Sequence, residues 1–139
     1  MPRSLVVTFV LALLAGAGFQ YVLDWPNDDM PYWFTTDAPL VSLPNQAEWD
    51  DVQCQWLRRV PVTRYPLLVH SAFERLRTEG VGRVFGLGIH PWLSGMSSRI
   101  RYLREALAAI RNADGVWWAQ PGEIADAFAT AHPRVKPSA

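Results

Sequence analysis

The sequence predicts an α/β fold, because runs typical of strands alternate along the chain with runs typical of helices. Three short runs, "FQYVLD", "RVFGLGI" and "VWWA", are rich in β-branched or aromatic residues and are bounded by turn-forming residues. Between and after them lie longer segments whose apolar residues recur with the spacing of one helix face. Parallel βαβ units in an α/β layer or barrel are the expected arrangement, and the 139 residues are enough for one domain.

Composition excludes several classes of protein. Half of the residues are hydrophobic and the formal net charge is zero, which indicates a folded core. No nucleic-acid partner is expected, because the arginines are spread over separate segments and form no concentrated basic run. Cys54 is the only cysteine, so neither an internal disulfide nor a cysteine-based metal cluster can form.

The first twenty residues, "MPRSLVVTFVLALLAGAGFQ", have two interpretations. An arginine near the start, an apolar run and small residues at Ala15 and Ala17 are typical of a secretory signal peptide. The same residues predict a core helix that stops at Gly16 or Gly18 and leads into the strand "FQYVLD". The apolar run is too short to span a bilayer. Pattern alone leaves both interpretations open.

The middle of the chain begins with a loop, "WPNDDMPYW", whose proline, asparagine and aspartates are typical of turns. A second apolar run, "APLVSLP", follows at residues 38–44, and the tract from Asn45 to Tyr65 shows no pattern that predicts its structure. "PLLVHSAFERLRTEG" then predicts a helix that ends at Gly80. The residues expected on its buried face are Leu68, Ala72, Phe73 and Leu76.

"RVFGLGI" is nearly continuous in apolar residues and glycines, which predicts a buried strand. The next helix has Ser97 or Ser98 as its expected N-cap and "NADG" as its end. Its apolar stripe is Ile100, Leu103, Leu107 and Ile110. "VWWA" predicts a last strand, and "PGEIADAFATA" a last helix with Ile124 and Phe128 facing inward. We expect residues 1–130 to form the α/β domain and residues 131–139 a disordered tail.

His90 and Asp24 each follow a predicted strand, at the edge where α/β proteins build their active sites. Histidine can hold and release a proton near neutral pH, which suits acid–base chemistry. A structural role is the alternative for His90, and turn formation is the alternative for the polar residues of the loop, namely Asp24, Asn27, Asp28 and Asp29. Trp117 and Trp118 are expected in the core or an interface.

Five segments occur in the order found in one known family: "YVLDWPNDDMPYW", "PLVSLP", "GRVFGLGIHPWLSG", "RIRYLREALAAIR" and "DGVWWAQPGEIADAF". From about Leu13 to about Phe128 the chain resembles the carboxyl-terminal half of polysaccharide deacetylase (NodB-homology) proteins. The allantoinase-like and peptidoglycan-deacetylase-like branch is the most similar. The resemblance implies a partial (β/α) barrel and hydrolysis of a non-peptide amide C–N bond, in an acetylated amino sugar or a ureide.

The same resemblance implies roles for individual residues. His90 matches the family's general acid, and Asp24 matches an aspartate that orients or polarises such a histidine. Trp25 and Trp92 would form walls of the substrate pocket, and the substrate-binding set is completed by Asn27 and Asp28. The sequence departs from its relatives at Met30 and at Ser98, where they resemble "NDDQPYW" and "GQPHRI".

Metal-dependent family members carry an early aspartate motif and a His-x-x-x-His motif in their amino-terminal half, and this sequence has neither. We therefore expect no cofactor in this chain, although relatives often bind a divalent metal such as zinc. The isolated chain is expected to be an incomplete fragment that is weakly active or inactive. The alternative is a non-catalytic remnant or a module that binds amino sugars.

The expected substrate is a small molecule or glycan that contains an amide. Self-association, or assembly with a complementing amino-terminal half, is the expected protein partnership. We expect a cytoplasmic location, or secretion if residues 1–17 are a signal peptide.

Overall fold

The computed structural model of the chain describes residues 3–25 and 27–135. The chain divides into two units, one formed by Met1–Pro44 with Ala119–Ala139 and the other by Asn45–Trp118. The helices are α1 (Arg3–Gly16), α2 (Tyr65–Glu79), α3 (Pro91–Ser94), α4 (Ile100–Arg111) and α5 (Pro121–Ala131). The strands are β1 (Tyr21–Val22), β2 (Tyr32–Trp33) and β3 (Val41–Ser42). Short 3-10 turns at Ala47–Trp49 and Val62–Arg64 flank a π-helix at Val52–Leu57.

The three strands form one sheet of the first unit, in the order β1-β3-β2. β1 runs parallel to β3 and β2 runs antiparallel to it. The strand predicted in "FQYVLD" is confirmed by β1, and the apolar run "APLVSLP" contains β3. The end of the predicted loop "WPNDDMPYW" is instead β2. The sheet of the described residues is therefore mixed, because a short antiparallel strand pairs with the free side of β3.

α1 confirms that a helix precedes β1, and the choice between a core helix and a signal peptide stays open. It ends at Gly16, and Gly18 takes a φ of 85°, which glycine adopts without a steric penalty. Ala15 is buried in a cluster with Val22 and Leu40, and Leu11 and Leu14 pack against the same cluster. Other apolar residues of α1 are exposed: Val6, Phe9, Val10 and Leu13. In the described part of the chain, none of the helices combines the length and hydrophobicity needed to cross a membrane.

α5 confirms the last predicted helix. Gln120 and Glu123 form a reciprocal capping box at its start, which satisfies two backbone N–H groups that the helix leaves free. Ile124 and Phe128 pack on the cluster that contains Val41. The predicted tail begins at the last residue of α5, and residues 136–139 lie outside the described ranges.

The second unit is built on the contact between α2 and α4. Val69, Phe73 and Leu76 of α2 are buried with Leu103, Ala106 and Ile110 of α4, which confirms both predicted helices and their apolar faces. The predicted N-cap of α4 is wrong, because Arg99 occupies that position and no side chain caps it. Ser97 and Ser98 lie in the preceding turn and are exposed.

Two predicted strands, residues 83–89 and 116–119, are not strands within the described ranges. An extended segment becomes a strand only when a neighbouring backbone pairs with it, and residues 83–89 bond mainly to side chains. Trp49 Nε1 donates to the Gly86 carbonyl at 2.9 Å, and the Gln46 amide bonds to Val84 and Gly86. The core alternative for Trp117 and Trp118 is wrong, since both are more than half exposed, and the interface alternative stays a prediction.

The α2–α4 contact predicts that the loss of Phe73 is costly. Phe73→Ala should lower the free energy of unfolding by about 3–5 kcal/mol, because it removes a buried aromatic ring and leaves a cavity. Leu67→Ala is the matched control on the same helix, since Leu67 is 62% exposed, and it should change the free energy by less than about 0.5 kcal/mol. Urea titration monitored by circular dichroism measures both. Equal losses in the two variants would contradict the described core.

Candidate active site

The segment that leads to His90 is fixed by the irregular tract whose structure the sequence does not predict. The Gln46 side-chain amide donates to the Val84 carbonyl at 2.6 Å and accepts from the Gly86 N–H at 2.9 Å. The backbone N–H of Asp51 donates to the Gly88 carbonyl at 3.2 Å. These bonds hold residues 84–88 extended alongside the tract, so that His90 arrives beside Asp51.

Asp51 binds His90 through both of its carboxylate oxygens. Oδ1 lies 2.7 Å from Nδ1 of the imidazole, and Oδ2 accepts the backbone N–H of His90 at 2.9 Å. The Asp51 side chain is completely buried, whereas 43% of the His90 side chain is exposed. The two bonds fix the position and the rotation of the ring. The Nδ1 edge of the imidazole is therefore held by a buried carboxylate, while 43% of the side chain remains exposed.

Asp50 is the second carboxylate of this cluster. Its Oδ2 lies 3.9 Å from Nδ1 of His90, and its Oδ1 accepts the N–H of Gln53 at 2.9 Å. Gly88 makes this arrangement possible, because a Cβ at position 88 would overlap Oδ2 of Asp50. Gly88, the second glycine of "GLGIH", thus leaves the space that the Asp50 carboxylate occupies.

Buried polar side chains near the pair come from α3 and from the π-helical tract. Nε2 of Gln55 donates to the hydroxyl oxygen of Ser94 at 3.4 Å. Oε1 of Gln55 in turn accepts from the guanidinium of Arg99 at 3.2 Å. Ser94 and Gln55 are buried. A row of polar side chains therefore runs from Arg99 through Gln55 to Ser94.

The two partners have pKa values that move in opposite directions. The hydrogen bond from Asp51 raises the pKa of His90 above its ordinary 6.5, with smaller contributions from the charges of Asp51 and Asp50. Burial alone would raise the pKa of Asp51, but the hydrogen bonds from Ser94 and from the backbone and ring of His90 outweigh it and lower that pKa. Asp51 is therefore ionised and His90 retains its proton to higher pH than a free histidine.

The charge of Asp51 also acts on the core beneath it. Burial raises the pKa of Tyr65, and the charges of Asp51 and Asp50 add to this. Burial likewise raises the pKa of the Cys54 thiol. Tyr65 is fully buried and donates to the carbonyl of Trp49 at 3.0 Å. Both groups are neutral near pH 7, so Asp51 is the negative charge that the buried part of this cluster carries.

An aromatic wall stands beside the histidine. The rings of His90 and Trp92 lie 6.0 Å apart, and those of Trp92 and Trp56 lie 5.9 Å apart in an edge-to-face arrangement. Both tryptophans are more than half exposed. The structure thus brings Trp92 next to His90, as the predicted pocket wall requires, and adds Trp56, which the sequence did not single out.

The other predicted site residues lie in the first unit. Asp24 and Trp25 line an open apolar pocket of about 210 Å³ beside α1. Oδ1 of Asp28 accepts the N–H groups of Asp29 and Met30, which is the turn-forming role considered as its alternative. Asn27 bonds through its backbone N–H to Trp25. Asp51, rather than Asp24, is the carboxylate bound to Nδ1 of His90, and the site roles of these four residues stay predictions.

Asp50, Asp51 and His90 are the one group in the described ranges with three potential metal ligands close together, within 4.8 Å. The arrangement does not fit a metal centre. Both oxygens of Asp51 and Nδ1 of His90 are occupied by their mutual hydrogen bonds, so a cation would have to displace the bonds that define the site. The chemistry of the cluster is that of a carboxylate–imidazole pair.

Asp51 is the residue of this candidate site that sequence reasoning missed. It lies in "EWDD", inside a tract without helical or strand periodicity, so nothing in the local pattern places it near residue 90. The available signal was chemical. Two adjacent aspartates lie between Trp49 and Trp56, and a histidine at a loop edge is commonly oriented by a partner for Nδ1.

Replacing the buried carboxylate tests the pair directly. Asp51→Asn removes the negative charge, and its amide can accept only one of the two bonds from His90, so the pKa of His90 should fall below the wild-type value. Titration of the imidazole C–H resonances by NMR measures this, with His90→Gln to assign the signal. Asp37→Asn, in the first unit, is the control and should leave the His90 pKa unchanged. An unchanged pKa in Asp51→Asn would contradict the pair.

Known proteins resemble this chain over most of its length. No protein-family profile matches it. A Schizosaccharomyces pombe (strain 972 / ATCC 24843) protein named "Putative polysaccharide deacetylase" is 31% identical over 128 residues, which cover 77% of this chain and 38% of that protein.

Solved structures share the fold. The crystal structure of PuuE allantoinase superposes with a TM-score of 0.82 at 21% identity, over 96% of this chain and 45% of that one. The crystal structure of a Mycobacterium smegmatis protein described as "putative polysaccharide deacetylase" gives a TM-score of 0.76 at 27% identity. The match covers 92% of this chain and 47% of that one. The chain spans less than half the length of each of these relatives. The chain is similar to polysaccharide deacetylases and corresponds to part of their length.

Proposed function

We propose that this chain supplies the general acid of a hydrolase that cleaves non-peptide C–N amide bonds. The observation that carries the proposal is the His90–Asp51 pair: Nδ1 of an accessible imidazole is bound at 2.7 Å by a carboxylate with no exposure to solvent. This pairing orients the ring and raises the pKa of His90. A protonated, oriented histidine beside an open surface is suited to proton donation.

Amide hydrolysis explains why such a proton is needed. Water adds to the carbonyl carbon to give a tetrahedral intermediate, and the C–N bond breaks only when the nitrogen is protonated, because an amide anion is a very poor leaving group. Nδ1 of His90 faces Asp51, so Nε2 is the atom that gives its proton to the departing nitrogen. The pair then holds the neutral imidazole with its remaining proton on Nδ1, directed at the carboxylate.

The substrate is proposed to be an acetylated glycan or a ureide, which places the protein in carbohydrate or ureide metabolism. The descriptions of the relatives, polysaccharide deacetylase and allantoinase, support these two classes. The exposed ring of Trp92 lies beside His90 and could cover one face of a bound sugar or ureide ring. Trp25, Asn27 and Asp28 are proposed as further substrate contacts, and Asp24 as an additional polar group of the site.

The remaining machinery is proposed to come from a complementing amino-terminal half that completes a (β/α) barrel of the NodB type. That half would activate the water and would bind any divalent metal, since the residues of the described cluster do not fit one. The chain by itself is therefore proposed to be weakly active or inactive. The coverage of less than half of each relative supports the need for a complementing half. A cytoplasmic location is proposed separately.

A non-catalytic module that binds amino sugars is the second candidate. The exposed Trp56–Trp92 pair favours it, because tryptophan faces are suited to stacking on sugar rings. This alternative, unlike the hydrolase, needs no proton from His90. The two are separated by whether His90 affects turnover or only binding.

The proposal predicts a kcat effect at His90. When the chain is co-expressed with the amino-terminal half of a polysaccharide deacetylase and turnover of an N-acetylglucosamine oligomer or a ureide appears, His90→Ala should lower kcat by about 100-fold or more. KM should change little, since proton donation stabilises the transition state rather than the bound substrate. Product amine released per unit time is the measurement.

His70→Ala is the matched control for this variant, because His70 is an exposed histidine of α2 with no proposed role. It should leave kcat at the wild-type value. Full turnover by His90→Ala in the reconstituted enzyme would contradict the acid role. Binding of the sugar without turnover by the reconstituted wild-type protein would favour the binding module.

The reconstituted enzyme should also show a pH dependence set by the pair. The acid is active only while His90 is protonated, so kcat/KM should fall as pH rises through the raised pKa of His90. Asp51→Asn lowers that pKa, and the alkaline limb of the profile should move to lower pH. A limb that stays in place in Asp51→Asn would show that another group supplies the proton.

A further inference from the structure

We propose that residues 132–134 form a strap that ties the end of α5 to the loop between β2 and β3. The first unit consists of two pieces of chain, Met1–Pro44 and Ala119–Ala139, which the second unit separates in sequence. Contacts between the two pieces therefore have to hold α5 on the sheet. The strap is a conformational device of the first unit that makes no use of His90, so it goes beyond the proposed function.

α5 ends at the first residue of the strap. His132 is the C-cap of α5, and its N–H donates to the Phe128 carbonyl at 2.8 Å. Its backbone has left the helical region, with φ at −128° and ψ at 73°. Pro133 follows, and the residue before a proline is disfavoured in the helical conformation. The chain is therefore turned out of α5 at His132, beside Trp33 of β2.

The first anchor of the strap is the indole of Trp33. Its Nε1 donates to the carbonyl of His132 at 2.8 Å, across 99 positions of the chain. The ring centroid of Phe128 lies 5.7 Å from that of Trp33 and 5.0 Å from that of His132. One aromatic group thus joins β2, α5 and the strap.

The second anchor is the guanidinium of Arg134. One of its nitrogens donates to the carbonyl of Asp37 at 3.0 Å, and another donates to the carbonyl of Thr36. Both carbonyls belong to the β2–β3 loop, where the hydroxyl of Thr36 also donates to the carbonyl of Ala38. A guanidinium presents its donors in one rigid plane. Two carbonyls bound to it together therefore fix the loop relative to the strap.

The two anchors are coupled because Pro133 alone separates His132 from Arg134. The pyrrolidine ring fixes φ of Pro133, so that binding of either anchor leaves the other close to its acceptor. The second contact then forms at a high effective concentration. The hydrogen bonds of Trp33 and Asp37 are exposed to water, and each alone contributes little. We therefore expect the strap to bind and release as one piece.

Loss of the first anchor should release the second. Trp33→Phe keeps an aromatic ring and removes the indole donor to the strap. Trypsin should then cleave the full-length protein after Arg134 about 2- to 10-fold faster, because cleavage follows the population of released strap and one hydrogen bond changes it by about this factor. Mass spectrometry measures the loss of residues 135–139. Trp117→Phe, at an exposed tryptophan of the second unit, is the matched control and should leave the rate unchanged.

The reciprocal experiment measures the first anchor after loss of the second. Arg134→Gln removes the guanidinium, and the indole N–H of Trp33 should exchange with solvent about 2- to 10-fold faster. The NMR signal of this proton is assigned by its absence in Trp33→Phe. Arg104→Gln, at an exposed arginine of α4, is the control and should leave the exchange rate unchanged.

Faster cleavage in Trp33→Phe and faster exchange in Arg134→Gln, with neither change in the controls, support the strap. An unchanged rate in either variant overturns it. Cleavage of the wild-type protein after Arg134 as fast as that of a free peptide of residues 126–139 also overturns it, because that is the result for a disordered tail. If Trp33→Phe unfolds, cleavage after Arg104 rises as well, and the exchange rate in Arg134→Gln decides. These measurements involve no substrate, so their failure removes the strap and leaves the hydrolase proposal to its turnover assay.

Discussion

The carboxylate of Asp51 is a charge without access to water, and the arrangement around it follows from the need to satisfy it. Burying an ionised carboxylate is costly unless hydrogen bonds replace its hydration. Here the backbone N–H and the ring of His90 supply two of these bonds. The position of His90 is thus a consequence of solvating Asp51 from within the protein. The residue that could act as an acid is fixed by the same bonds that stabilise the fold locally.

This dependence links the core of the second unit to its surface. Tyr65 begins α2, is fully buried, and donates to the carbonyl of Trp49, two residues before Asp51. Trp49 in turn stacks on Phe85 and donates to Gly86. The segment before His90 is therefore held by packing below it and by side-chain hydrogen bonds along it. A rigid second layer of this kind is what an oriented catalytic group requires.

Periodic segments of the sequence were predictable because their physics is local. The apolar stripe of α4 and the proline and glutamate at the start of α5 are enough to place these helices. Residues 83–89 have the composition of a strand but bond to the side chains of Gln46 and Trp49. Local composition cannot tell a backbone partner from a side-chain partner, and that prediction failed for this reason.

Of the His90–Asp51 pair, only His90 was predictable from the sequence. His90 stands out because it interrupts an apolar run at a loop edge, and family resemblance gives it a role. Asp51 is 39 positions away along the chain, in a π-helical tract without periodicity. Its contact with His90 depends on tertiary structure that no local pattern encodes. Asp24, chosen because it follows a strand, has the right chemistry, but the carboxylate on Nδ1 is that of Asp51.

The most direct measurement of the central claim is the tautomer of His90, read from the ¹⁵N resonances of its imidazole above its pKa. The account predicts that the remaining proton is on Nδ1, directed at Asp51, and that Nε2 carries the free lone pair. Free histidine favours the opposite tautomer, so the protein must impose this one. A neutral His90 with its proton on Nε2 would contradict the carboxylate–imidazole pair and the acid role built on it.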